Sequence, residues 1–154
     1  MSHDASSPDT AILFVCLGNI CRSPAAEAAM RARAAAAGLR LALDSAGTGD
    51  WHAGEPPHPP MIAAAARRGY DLAPLRARQV TRADFDRFDL ILAMDGDNLA
   101  NLRRIAPAGA RARIAAFLPG GDAVPDPYFT GDFDGALDRV EEGVAHWLAE
   151  LGAR

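Results

Sequence analysis

The chain has 154 residues, 49% of them hydrophobic, which is enough to bury one globular core and leaves no room for a second domain. Its net charge of −4 gives no general attraction to nucleic acid, and all 16 basic side chains are arginine, which excludes the G-K-[ST] phosphate loop and any lysine nucleophile. Two cysteines do not make the disulfide framework of a secreted protein, no apolar run reaches membrane-spanning length, and Met1 to Thr10 is polar rather than a signal sequence, so a reducing, cytoplasmic setting is expected.

The apolar run Ala11 to Val15 predicts a first strand that delivers Cys16. Gly18 and Asn19 tolerate left-handed dihedrals, so the next loop can curl its N–H groups inward as an anion nest. Pro24 suits the first position of a helix running to Ala37 and closed by Gly38, with its positive end aimed back at the loop. A strand over Leu41 to Ser45 and a helix from Pro59 to Arg68, ended by Gly69, come next. A strand over Asp89 to Met94, a helix from Asn98 to Ala106 and a strand over Arg113 to Phe117 complete the alternation, which predicts an α/β fold around a parallel sheet. The segment Leu118 to Asp132 carries Gly120, Gly121, Pro125, Pro127 and Gly131, and is expected to be a long irregular loop of the kind that forms lids. Leu137, Val140, Val144, Leu148 and Leu151 recur at helical spacing and mark a C-terminal helix with one buried face.

The stretch from Cys16 to Pro24 carries the chemistry. A thiol beside an amide nest and a helix N-terminus lies in a positive field that favours the thiolate, a nucleophile at neutral pH. Arg22 offers a planar fork of donors that matches two phosphate oxygens, and the Ser23 hydroxyl can donate to the sulfur. Taken singly, a cysteine at a strand end is a small hydrophobe and Ser-Pro is a helix cap; the whole C-x5-R-S-P string after a strand favours a nucleophile site. A zinc site is disfavoured, because Cys16 and Cys21 lack a second cysteine pair and His3, His52, His58 and His146 are not at ligand spacing. In open α/β sheets the ligand lies beyond the carboxyl ends of the strands, which places Cys16 at the crevice. Asp126, bracketed by Pro125 and Pro127, lies in the loop expected to reach it, although a lone Asp-Pro is otherwise an ordinary turn.

Cys16-Leu17-Gly18-Asn19-Ile20-Cys21-Arg22-Ser23-Pro24 resembles the signature of the low-molecular-weight protein tyrosine phosphatase family. Asp44-Ser45-Ala46-Gly47-Thr48 and Trp51-His52 resemble its second strand and following loop. Ala77-Arg78-Gln79 and Ile91-Leu92-Ala93-Met94-Asp95 resemble its middle, and Asp126-Pro127-Tyr128 its late acid loop, in family order from about Ala11 to the C-terminus. The resemblance implies one domain over 11–154 after a flexible tail over 1–10. It also implies a three-layer α/β/α architecture with a four-stranded parallel sheet, the Rossmann-like phosphotyrosine phosphatase I fold.

The implied activity is metal-independent hydrolysis of phosphotyrosine and small aryl phosphates through a phosphocysteine, with no cofactor. Cys16 would be the nucleophile, Asp126 the general acid and then the general base, and Arg22 the clamp on the phosphoryl oxygens. The phosphate would rest on Leu17, Gly18, Asn19, Ile20, Cys21, Arg22 and Ser23, in a loop braced by Asn19, Ser23 and Ser45. Trp51, Tyr128 and Phe129 would wall a slot for an aromatic ring, core packing being the other reading of Trp51 and Phe129. Cys21 is either a redox partner that protects Cys16 as a reversible disulfide or a plain loop residue. The implied partners are a phosphotyrosine protein and an opposing tyrosine kinase, with no nucleic acid, no membrane insertion, and a monomeric or weakly dimeric state.

Two positions depart from the family pattern. A histidine that braces the family's loop asparagine falls on Leu75, which cannot donate a hydrogen bond, so a less rigid loop is expected. His58-Pro59-Pro60 replaces the Asp-Pro-Arg often found there and reads as a surface variation. Among rivals, an arsenate reductase of the same fold needs further cysteines that this chain lacks, and a protein-arginine phosphatase typically has threonine where Ile20 stands. A non-catalytic phosphate-binding module would more naturally have lost Cys16, Arg22 or Asp126, and all three are present.

Overall fold

The computed structural model describes residues 10–152, so residues 1–9 of the expected tail lie outside the described residues. Thr10, assigned to that tail from sequence, instead opens the first strand. The elements in order are β1 (Thr10–Cys16), α1 (Arg22–Ala36), β2 (Leu41–Gly47), α2 (Pro59–Ala66), α3 (Asp84–Arg87) and β3 (Leu90–Ala93). They continue with α4 (Gly96–Ile105), β4 (Arg113–Ala116), a 3₁₀ turn (Pro119–Gly121), α5 (Pro127–Thr130) and α6 (Phe133–Gly152).

The four strands form one parallel sheet in the order β2-β1-β3-β4. Helices cover both faces, which is why β1 reads as a continuous apolar run rather than an alternating one. The two-residue period still sorts its side chains. Ile12, Phe14 and Cys16 join the core shared with α1, α2 and α6, while Leu13 and Val15 pack toward Phe85, Phe88 and Leu102 on the α3 and α4 side. Chain order reverses on either side of β1, so its carboxyl end is a topological switch point, and Cys16 is its last residue.

The helix α1 starts at Arg22, earlier than expected, so Pro24 occupies the third helical position rather than the first; its missing N–H would have had no intrahelical partner there either. The segment 118–132 is not irregular throughout, since it holds the 3₁₀ turn and α5. Like α3, these pieces are too short to leave a periodic signal. Val124 N–H donates to Met94 O at 2.8 Å, which pins this segment just beyond β3. On α6, Gly143 lets the Phe117 ring approach so closely that a Cβ there would come within 2.3 Å of it, and Trp147 Nε1 donates to Phe117 O at 2.7 Å. Among the described residues, no helix is long and apolar enough to cross a membrane.

Candidate active site

Between β1 and α1 the chain wraps around one sulfur. Cys16 is 3% exposed, its Sγ lies 3.0 Å from Ser23 Oγ, and it accepts the Asn19 N–H at 3.3 Å. Of the two residues expected to use left-handed dihedrals, only Asn19 does, at φ 58°. Gly18 serves through its missing side chain, because a Cβ there would meet His52 Cδ2 at 3.1 Å. Gly47 does the same from β2: a Cβ would fall 2.7 Å from Leu17 O, so only glycine lets the loop settle against the strand end. Thr48 and Gly49 then donate to Cys16 O and Leu17 O at 2.9 and 3.0 Å.

The Asn19 side chain is the hub of a buried network. Its Nδ2 donates to Ser23 Oγ at 2.8 Å and to Ser45 Oγ at 3.0 Å, and its Oδ1 accepts the Arg78 N–H at 3.0 Å. With the amide oriented this way, the Ser23 oxygen is an acceptor from Asn19, and its one proton has two acceptors, Cys16 Sγ at 3.0 Å and the more distant Ala46 O at 3.4 Å. Ser45 in turn donates to the buried Glu27 carboxylate at 2.7 Å, and Arg31 closes the chain on the other Glu27 oxygen at 2.7 Å. The bracing gap expected at Leu75 is filled by the Arg78 main chain, while Leu75 packs against the core.

Arg22 is 3% exposed and is held by three acceptors. Its Nη1 donates to Asp95 Oδ2 at 2.7 Å and to Val124 O at 3.0 Å, and its Nη2 reaches Asp126 Oδ2 at 3.4 Å. Burial works against the guanidinium charge, but Cys16, Asp95 and Asp126 outweigh it and raise the Arg22 pKa. Asp126 caps α5, its Oδ1 accepting the Tyr128 N–H at 3.1 Å, so the turn reading of Asp-Pro and its placement at the site hold together. Cys21 is buried beside this cluster. Burial, and then the charges of Cys16 and Asp126, push its thiol up to about 12, and both cysteines are free.

One cavity opens over the sulfur. It is lined by the loop residues Leu17, Gly18, Ile20, Cys21 and Arg22, by Trp51 and His52, and by Asp126, Tyr128 and Phe129. Trp51, Tyr128 and Phe129 are 69%, 50% and 76% exposed, which removes the core-packing reading of Trp51 and Phe129. Asn19 and Ser23 do not line the cavity; they sit behind the loop as supports. Among the described residues, no group of three His, Cys, Asp or Glu side chains is placed to hold a metal ion.

Sequence reasoning gave no role to Asp95, Arg78, Glu27, His52 or the Val124 carbonyl. Asp95 had a readable signal, since it follows β3 as Cys16 ends β1, at the carboxyl edge of the sheet. Glu27 had one as well, lying one turn into the helix that opens at Arg22.

Comparison with known proteins agrees with this geometry. Residues 11–154 match the family model described as low molecular weight phosphotyrosine protein phosphatase. The low molecular weight protein-tyrosine-phosphatase YfkJ of Bacillus subtilis is 42% identical over 147 residues, covering 91% of this chain and 94% of the relative. The low molecular weight protein-tyrosine-phosphatase of Streptomyces coelicolor is 45% identical over 152 residues, covering 91% and 92%. The crystal structure of YfkJ superposes with a TM-score of 0.88 at 40% identity, over 97% of this chain and 98% of that one. A protein tyrosine phosphatase from Entamoeba histolytica with Hepes in its active site superposes with a TM-score of 0.86 at 35% identity, over 94% and 98%. The chain therefore belongs to the low molecular weight phosphotyrosine protein phosphatases, a family of cysteine-dependent hydrolases.

Proposed function

We propose that Cys16, Arg22 and Asp126 carry a two-step phosphoryl transfer on phosphotyrosine in protein substrates. The Cys16 thiolate attacks phosphorus in line and forms an S–P bond, while Asp126 protonates the departing phenol oxygen as the P–O bond breaks. Asp126, now ionised, takes a proton from water as that water attacks the phosphocysteine, and Cys16 leaves as a thiolate. The hydroxyl of Ser23 and the N–H of Asn19 stabilise that thiolate in both steps. Arg22 holds the equatorial oxygens together with the loop amides. The observation that supports this best is the convergence of a thiol, a buried guanidinium and an acid-loop carboxylate at one cavity.

Trp51, Tyr128 and Phe129 suit an aromatic leaving group, since they stand out from the surface and can grip a ring only above a recessed nucleophile. A phosphorylated serine is too short to reach Cys16 past them. The partner of such an enzyme is a tyrosine kinase that writes the mark it removes. A thiolate nucleophile works in a reducing compartment, which favours the cytoplasm, and we expect a monomer or weak dimer.

The test is hydrolysis of p-nitrophenyl phosphate in excess chelator, with Cys16→Ser alongside. The expected outcome is turnover that survives chelation and is abolished in the variant; a folded, reduced wild-type protein without activity would remove the assignment.

A further inference from the structure

His58 stands where the family often has aspartate and read as a surface variation, but its surroundings give it work. Its main-chain N–H donates to Ile20 O at 2.8 Å, which ties the start of α2 to the nucleophile loop. Its imidazole lies 5.3 Å from the Tyr128 ring at 56° and 5.8 Å from the Phe133 ring at 35°. Tyr128 is the second residue of α5 and Phe133 the first of α6, and the Tyr128 N–H donates to Asp126 Oδ1. Among the described residues, the hydrogen bonds of 127–131 all stay within 126–132, so they do not fix α5 against the rest of the molecule. The buried Pro127, the Arg22–Asp126 pair and ring contacts to Tyr128 do that; His58 supplies the shorter of those ring contacts, at 5.3 Å against 6.3 Å for His52, and also reaches Phe133 at the start of α6. The following Pro59 restricts the His58 backbone to its extended conformation, at φ −57° and ψ 127°, which narrows the directions in which the ring can point.

We propose that His58 is a positioning residue for Asp126: it packs on Tyr128 and Phe133 while its N–H holds Ile20, and so sets the acid loop against the nucleophile loop. The inference rests on the assignment of Asp126 as general acid. Proton donation matters most when the departing phenolate is a strong base and least when it is p-nitrophenolate. Loss of positioning therefore shows as a leaving-group effect, which a general loss of stability does not produce.

The experiment measures kcat/KM over a series of aryl phosphates, from p-nitrophenyl phosphate to phenyl phosphate, for wild type, Asp126→Asn, His58→Ala and His58→Phe, with thermal denaturation to confirm folding. His58→Leu replaces the alanine variant should that one fail to fold. The expected result is that His58→Ala loses about tenfold on phenyl phosphate and much less on p-nitrophenyl phosphate, the scale of effect that a small misplacement of a reacting group produces. His58→Phe recovers most of that loss, because it restores the ring. A parallel loss on all substrates, no loss, or no recovery with phenylalanine overturns the proposal while leaving the general acid in place. An Asp126→Asn variant with no leaving-group effect overturns both.

Discussion

The nucleophile loop and the acid loop meet at the same cavity but are held by different means. Residues 16–23, apart from Leu17 and Gly18, are buried: Asn19, Arg22 and Ser23 are at most 3% exposed, and each makes hydrogen bonds to other elements of the fold. Residues 126–130 are held by Arg22, by an N-cap and by rings half or more in solvent. The contrast matches the two tasks proposed for these loops. A thiolate needs donors fixed before substrate arrives, since electrostatic stabilisation is strongest when nothing has to reorganise. A proton donor that must meet variable protein substrates, and then turn to a water, needs direction with some freedom.

Each loop can be perturbed without the other. On the acid side, Asp126→Asn removes the proposed proton donor but keeps the N-cap acceptor, and kcat/KM for phenyl phosphate should fall by about 10²- to 10⁴-fold with little loss of thermal stability. On the nucleophile side, Ser45→Ala leaves an Asn19 N–H without a partner and takes one of two donors from the buried Glu27 carboxylate, which keeps Arg31. Turnover should fall by about tenfold, in line with the cost of one unsatisfied buried group, and alkylation of Cys16 by iodoacetate at neutral pH should slow with it. Equal sensitivity of melting temperature to both substitutions would erase the distinction between the loops.

The frame behind Asn19 makes stability depend on pH. Arg78, whose N–H holds Asn19, pairs through its side chain with Asp44 and with the fully buried Asp84. Burial alone would raise the Asp84 carboxyl, but Arg78 and the Thr81 N–H and hydroxyl outweigh it and hold its pKa below the usual range. The same balance, struck by Tyr70 and Arg68 after α2 and by Arg33 on α1, lowers Glu141 on α6. A carboxyl lowered on folding contributes its full stability above the unfolded pKa of about 4 and loses it as pH falls through the folded value. Melting temperature should therefore drop on acidification below about pH 4, and Asp84→Asn should lower it at pH 7 while flattening that drop. The smallest effect is expected at Leu75. Because Arg78 N–H already serves the Asn19 carbonyl, Leu75→His should change turnover by less than about twofold.

Much of this was legible in the chain. The strands and the four long helices announced themselves by apolar runs and helical spacing, and the C-x5-R-S-P string located the sulfur. What stayed hidden had physical reasons. α3 and α5 are four residues each, shorter than any period can register. The brace from Arg78 is a main-chain N–H, a group every residue but proline carries, so no side-chain pattern could point to it. Asp95 and Glu27 act at sequence separations of 73 and 18 from their partners, a proximity set by the order of the strands and the turn into α1. His58 looked like surface because nothing in the chain shows that Tyr128 and Phe133 fold back over it.

The most direct measurement is to quench the protein during turnover of p-nitrophenyl phosphate and locate phosphorus by peptide mass spectrometry. One phosphoryl group is expected on the sulfur of Cys16, enriched in Asp126→Ala because hydrolysis of the intermediate loses its base, and absent from Cys16→Ser. Turnover with phosphate on a different residue, or with no covalent intermediate in either protein, would contradict the phosphocysteine route.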